Sequence, residues 1–375
     1  MPPHQETPAR LAEPVRAAKK SIVVPYEPDS PPAQLAGLLD REVSERWRAV
    51  DRSAHAPHLV AVPGADGEGW TAAALVTARP GTAYLKIVDA VGDVRAAVEA
   101  VVAHADRREL AQVKWEGWTA RPEDVAATGF TALAPSLTQP EGAAGPAAGY
   151  VRWLGDGVTS APAYYGQTTH FTCGAVTALV AQAHAGVLEW EALDRQTELT
   201  LWRDATNFLA CEPVGLGVAL RRAWPSSPVT VHLDTDRPVL LGHLPENDQE
   251  WRALLQRASR TEAERTGVPI DPNRLSLTAI RDAVGRREHV LLLLSLAGMQ
   301  GFDVPHWVLC HGTVPGAVVI EDPWANATTG DTWVDAHLLP VPDASLDTMS
   351  VISPEGFRGA VTIGRPQARD AAPSL

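Results

Sequence analysis

Apolar and polar positions along the chain fall into two successive regimes. Residues 70–77 and 83–90 are short apolar runs separated by Arg79-Pro80-Gly81-Thr82, turn chemistry that predicts a hairpin. The period then lengthens: Val94, Ala97, Val98, Val101 and Val102 recur at helical spacing and predict a helix over 93–106. A short strand is expected at 112–115, then a helix entered at Arg121-Pro122-Glu123-Asp124, and Gly129-Phe130 leads into a further strand. Residues 21–134 therefore read as a small α/β domain. The first 20 residues are Pro-rich, mixed in charge and without periodicity, and are expected to form a disordered or loosely ordered tail. Residues 135–149, PSLTQPEGAAGPAAG, have nothing to bury and are expected to link that domain to a second one over 150–375.

In the second regime helical patterns come first, over 173–185, 190–209, 215–224, 248–266 and 277–284. Strands follow. Residues 290–296 form a continuous apolar run of the kind a buried central strand shows, and 306–312 with 317–320 predict a hairpin around Pro315-Gly316. Helices followed by antiparallel strands indicate an α+β arrangement.

Composition agrees with two globular domains. Of 375 residues, 45% are apolar and 21% charged, enough to build packed cores. The net charge of -13 disfavours phosphate contacts, so no nucleic acid is expected as a partner. No apolar run approaches the roughly 20 residues that span a bilayer, and the first 20 residues lack the apolar core of a secretion signal. The expectation is a cytoplasmic protein with no membrane partner. Its three cysteines, Cys173, Cys211 and Cys310, suit reduced thiols better than a disulfide framework. Without a CxxC or HExxH pattern, neither metal nor cofactor is expected.

The segment GQTTHFTCGAV, 166–176, stands where loop chemistry gives way to a helix whose apolar face carries Ala175, Val176, Leu179, Val180 and Ala183. Cys173 is placed at the helix N-terminus, where unpaired amides and the positive dipole end favour thiolate over thiol. Gly174 is expected to leave room beside the sulfur for a substrate carbonyl. Attack on an amide or thioester produces an oxyanion, for which Gln167 and the backbone amide of Cys173 are suitable donors. The attack also needs a base and an orienting acceptor for that base. Folding PHWVLCHGTVPGAVVIEDPW about Pro315-Gly316 brings His306 and Asp322 within a few residues of each other, and Asp322 is suited to hold the imidazole tautomer.

Competing readings are weaker. Cys310 shares a strand face with His306 by alternation, but a thiol in an apolar strand is usually core filling, and Cys211 has still less around it. His170 reads as a wall or structural residue, and His311 and His337 receive no role. Trp307 and Trp324 flank the two partners, either shielding the pair or packing the hairpin. Alternation points Glu321 away from Asp322, so one of the two carboxylates is expected to be solvated.

Gln, five residues, Cys-Gly at a helix start, then a much later His-Trp-Val, a hairpin and Asp-Pro resemble the papain-like cysteine peptidases that process double-glycine leader peptides, and their freestanding relatives. The resemblance spans about 160–325. It implies a papain-like cysteine peptidase fold and catalytic roles for Cys173, His306, Asp322 and Gln167. It also implies a peptide or acyl/amide substrate. Hydrolysis through an acyl-cysteine is the leading expectation. The alternatives are acyl transfer from a carrier-bound or thioester donor, and a non-catalytic peptide- or carrier-binding module. The order hairpin, helix, strand, helix, Gly-Phe, strand over 69–135 resembles the GNAT-type N-acetyltransferase fold. In that fold, amides at a helix N-terminus receive the pyrophosphate of acetyl-CoA. Here 88–98, VDAVGDVRAAV, carries Asp89 and Asp93 instead, and the domain is expected to be degenerate.

Overall fold

The computed structural model describes residues 21–65, 69–138, 145–158, 160–205, 210–242 and 244–365. The expected tail over 1–20 and residues 139–144 of the expected linker lie outside the described residues, as do 206–209 at the end of one expected helix.

The first layer is a seven-stranded sheet made of β1 (Ile22–Pro25), β2 (His58–Pro63), β3 (Trp70–Thr77), β4 (Tyr84–Gly92), β5 (Gln112–Glu116), β6 (Thr131–Ala132) and β7 (Gly149–Trp153), in the order β1-β2-β3-β4-β5-β7-β6. The expected hairpin is β3–β4. All neighbours are antiparallel except β4 and β5, which run parallel. A parallel pair needs a crossover, and α2 (Val94–Arg107) supplies it, burying Ala97, Val98, Val101 and Val102 against Val60, Leu85, Ile87 and Trp115. On the opposite face α1 (Arg41–Arg48) drives Trp47, fully buried, into a second cluster with Leu59, Leu75 and Val88. The short helix α3 (Pro122–Ala127), opened by Pro122 at its first position, precedes Gly129 at φ 73° and Phe130. The succession hairpin, helix, strand, helix, Gly-Phe, strand is found along the chain as expected.

One boundary moves. Tyr150, expected to open the second domain, lies inside β7, where Trp115 and Glu116 of β5 face Tyr150 and Gly149. The first sheet takes in its last strand from the far side of the Pro/Gly/Ala stretch, because β5 otherwise presents an unpaired edge.

The second layer is a seven-stranded sheet of β8 (Val229–Leu233), β9 (Ile270–Asp271), β10 (His289–Ser295), β11 (Pro305–Val314), β12 (Ala317–Glu321), β13 (Leu339–Pro342) and β14 (Gly359–Ile363). Its order is β13-β12-β11-β10-β14-β8-β9. The apolar run 290–296 is the central strand β10, flanked by β11 and β14. One face carries α4 (Cys173–His184), α5 (Arg195–Ala205) and α6 (Pro213–Ala223), whose apolar sides join Leu291, Leu293, Trp307 and Leu309. Helix α7 (Glu246–Thr266), expected as a helix over 248–266, packs along α6. The other face carries α8 (Leu277–Gly285) and the shorter α9 (Ala297–Gln300) and α11 (Asp343–Met349), while α10 (Trp333–Ala336) packs with Val319, Leu133 and Val151. The arrangement is the α+β one expected.

The two layers meet through buried charge. From β4 and β5, Lys86 Nζ lies 2.5 Å from Asp335 Oδ2 and 2.7 Å from Glu116 Oε1, and the Tyr84 hydroxyl donates to Asp335 Oδ1 at 2.6 Å. Lys114 Nζ donates to the carbonyls of Asp335 and His337 at 2.9 and 2.6 Å. Burial pushes the Lys114 ammonium down to about 7, against Asp335, which favours its charge. An apolar seam in which Leu133 and Val151 meet Val319, Trp333 and Val334 closes the contact.

Candidate active site

Helix α4 begins at Cys173 because Thr172 leaves helical geometry there, yet Thr172 does not cap it: its hydroxyl donates to Glu198. The helix therefore starts without a side chain over its first amides, at the residue whose sulfur would benefit from them. Glu198 of α5 is fully buried and also accepts from Thr168 N at 2.9 Å and the Tyr165 hydroxyl at 3.1 Å. One carboxylate thus fixes the loop between Gln167 and Cys173. The sequence reading passed it over, since Glu198 reads as an ordinary helix residue.

Hairpin β11–β12 turns at Gly316, φ 70°, and sets Leu309 opposite Glu321, with the bulge at His311 shifting the register by one. His306 and Asp322 meet as expected: Nε2 lies 2.7 Å from Oδ1. With Nε2 engaged, Nδ1 is the ring nitrogen left for Cys173, which lies near enough to act on the imidazole's charge. Burial would lower the imidazole, but Asp322 and then Cys173 outweigh it and carry His306 up to about 10. Burial would likewise raise Asp322, yet His306 and Arg79 hold it below the ordinary carboxylate value.

Arg79 comes from the turn between β3 and β4, in the first layer. Its Nη1 lies 2.6 Å from Asp322 Oδ2, Nε 3.0 Å and Nη2 2.9 Å from Asp331 Oδ2, and Nη2 donates to the Trp324 carbonyl at 3.2 Å. From sequence Arg79 is only a turn residue, because its partner stands 243 positions away.

Gln167 is tied into the same corner. Its backbone N–H donates to the Pro323 carbonyl at 2.7 Å, and its side-chain Nε2 donates to the Thr169 carbonyl at 2.7 Å, leaving one N–H of the amide for another acceptor. His170 is exposed. Trp324 is half-buried over the site, its ring 6.4 Å from that of His306 and 5.8 Å from Phe302, whereas Trp307 is core, donating to the Cys211 carbonyl at 3.0 Å.

Two expectations are corrected. Gly174 does not open space for a substrate: a Cβ there would stand 3.0 Å from both Cys211 Cβ and Trp307 Cδ1, so glycine lets α4 press onto β11. Neither carboxylate of the pair 321–322 is solvated. Glu321 is buried with His337 Nδ1 at 2.8 Å and His311 Nε2 at 3.2 Å, which also gives those two histidines a place. The competing thiols are buried without such company; desolvation pushes Cys310 up to about 12 and Cys211 higher still.

In the first layer, Asp93 accepts from Ala96 N at 3.1 Å and so caps α2 itself. Asp89 is buried with Arg46, Trp47 and Thr119. The carboxylates expected to displace a pyrophosphate are thereby engaged by the domain's own donors. Among the described residues no group of three or more His, Cys, Asp or Glu side chains could hold a metal ion, and no helix is long and apolar enough to cross a membrane.

A helix opening on cysteine against an antiparallel sheet, with a His–Asp pair at the base of a hairpin beside it, defines a cysteine-peptidase-like domain. The chain belongs to the Peptidase_C39 like family, whose model matches residues 162–364. Among solved structures it is similar to a protein from Bacillus anthracis described as a C39-like peptidase, at 12% identity over 55% of this chain and 94% of that one, TM-score 0.28. It is also similar to a GNAT-family acetyltransferase from Staphylococcus aureus Mu50, at 8% identity over 36% and 100% of the two chains, TM-score 0.26. Nourseothricin acetyltransferase matches at 16% identity over 26% of this chain and 66% of its own length, TM-score 0.22. No curated protein matches.

Proposed function

We propose that the protein is a thiol-dependent peptidase or amide hydrolase that works through an acyl-Cys173 intermediate. The observation that carries this reading is His306 held between Cys173 and Asp322, with the carboxylate 2.7 Å from Nε2. His306, charged in the resting site, already carries on Nδ1 the proton that Cys173 has given up, and Sγ adds to the substrate carbonyl carbon. The displaced electron pair settles on oxygen, for which the remaining Gln167 N–H and the Cys173 amide are the assigned donors. Collapse breaks the C–N bond, and the leaving amine takes the proton from His306. Water then gives a proton to His306 and attacks the thioester, releasing the acid and the thiol. Asp322 keeps the imidazole oriented throughout and stabilises its charged form.

The test separates hydrolysis from acyl transfer. The full chain is given an aminoacyl-coumarin amide or a short acyl thioester, with and without hydroxylamine. Hydrolysis predicts free acid as the main product, hydroxamate appearing only as hydroxylamine competes with water, and neither product with Cys173→Ala. Turnover by Cys173→Ala at the wild-type rate overturns the reading, and amide formation from a dilute peptide amine in preference to acid would assign acyl transfer instead.

A further inference from the structure

We propose that Arg79, a residue of the N-terminal sheet, is a positioning residue for the Cys173 site, so that the two domains build one active centre; the proposal rests on the Cys173–His306–Asp322 reading above. Asp322 Oδ1 accepts from His306 Nε2 at 2.7 Å and from Trp324 N at 2.9 Å, while Oδ2 is 2.6 Å from Arg79 Nη1. A carboxylate gripped on both oxygens cannot turn about its χ2 axis. Oδ1 is thereby kept aimed at the imidazole.

The grip is rigid because Arg79 is itself held. Asp331 binds Nε and Nη2, and is fixed in turn by Gln300 Nε2 at 2.7 Å, with His55 Nδ1 3.3 Å from its other oxygen. The turn that carries Arg79 is moulded to the second domain: Gly81 has φ 69°, and a Cβ there would stand 2.5 Å from Met349 Cε of α11. Arg79 and Asp322 are both fully buried, so their pairing is not diluted by water. A lysine cannot reproduce it, since a single ammonium does not bridge Asp322 and Asp331 as the planar fork does.

Other ionisable groups face this pair. Asp335 and Tyr84 act on Arg79, and the Tyr164 phenol, pushed up by burial and then by Asp322, is near the carboxylate. Lys86 and Lys114 share Asp335 below them, while Glu321 is turned to His311 and His337. Among the described residues none of these is hydrogen-bonded to His306 Nε2, and only Arg79 adds a side-chain cation against Asp322 Oδ2.

The test needs no substrate. Alkylation of Cys173 by iodoacetamide, located by peptide mapping, is followed from about pH 4 to about pH 9 in full-length wild type, Arg79→Met and Arg79→Lys, alongside thermal unfolding. The wild-type profile is the reference. In Arg79→Met the acid limb moves up by about one pH unit or more, because Asp322 loses the neighbour that favours its ionised form. Arg79→Lys falls between. Overlapping profiles in folded variants overturn the proposal. So does a pair of variants that lose their fold with no separate change of reactivity, which would assign Arg79 to stability alone. If the wild type itself alkylates like a free thiol, the Cys173–His306–Asp322 reading fails, a result distinct from an Arg79 variant without effect.

Discussion

Glu321 and Asp322 are adjacent in the chain, and each holds a different histidine: Glu321 Oε2 lies 2.8 Å from His337 Nδ1, and Asp322 Oδ1 lies 2.7 Å from His306 Nε2. Strand alternation at the end of β12 sends the first toward the domain interface and the second toward Cys173. On the proposed reading, Glu321 serves stability and Asp322 the chemistry. Glu321→Gln should lower stability by about 3 kcal/mol, as expected when a buried ion pair loses one partner, and leave the pH profile of Cys173 alkylation in place. Burial raises Glu321, but His337 and then His311 bring it down to about 2 from an ordinary 4.5. Its stabilisation is complete above 4.5 and disappears as the pH falls toward 2, so wild type and Glu321→Gln should converge in urea titrations at acid pH.

His306 sets the opposite slope. Its folded value near 10 lies above its ordinary 6.5, so the stabilisation it brings is complete below 6.5 and is lost as the pH rises through about 10. The stability difference between wild type and His306→Gln should shrink steadily over that range. Lys114, held near 7 against an ordinary 10.5, gains stability with rising pH over part of the same window, but it does so in both proteins and cancels. A difference independent of pH would contradict the charged His306–Asp322 pair.

Gln167 should affect acylation without affecting alkylation. Removing one oxyanion donor typically costs about 10²–10³ in rate. Gln167→Ala should slow single-turnover acylation of Cys173 by an acyl thioester by that order. Reaction with iodoacetamide, which forms no oxyanion, should stay within about twofold of wild type. Equal loss in both reactions would make Gln167 a purely structural residue.

Gly174→Ala tests the close packing of α4. Helix propensity alone would favour alanine by about 1 kcal/mol, but a methyl 3.0 Å from both Cys211 Cβ and Trp307 Cδ1 overpacks the core at about 1–3 kcal/mol. The expected outcome is a net loss of up to about 2 kcal/mol in urea unfolding. A gain would mean that Trp307 can yield.

The parts of the site that were legible in the sequence were local ones. Gln167 and Cys173 stand six residues apart on one loop-to-helix junction, and His306 and Asp322 belong to one hairpin whose turn is announced by Pro315-Gly316. Helix α2 was equally plain from the spacing of its valines and alanines. Contacts that span the chain were not legible. Arg79 reads as turn chemistry until the second domain folds against it, and Glu198 shows no sign of its hold on the Cys173 loop. Strand β7 was hidden behind a Pro/Gly/Ala stretch because its partner β5 lies more than thirty residues earlier in the chain. Gly174 misled for a related reason: a missing side chain leaves room for substrate or for a neighbouring helix alike, and only the packing of Cys211 and Trp307 tells which.

The central claim, that Cys173 is the nucleophile, is tested most directly by intact-mass spectrometry and peptide mapping after exposure of the full chain to candidate peptides and acyl thioesters. The account predicts one acyl adduct per chain, mapped to Cys173, labile to hydroxylamine and lost in Cys173→Ala. An adduct on Cys211 or Cys310 that spares Cys173 would contradict it.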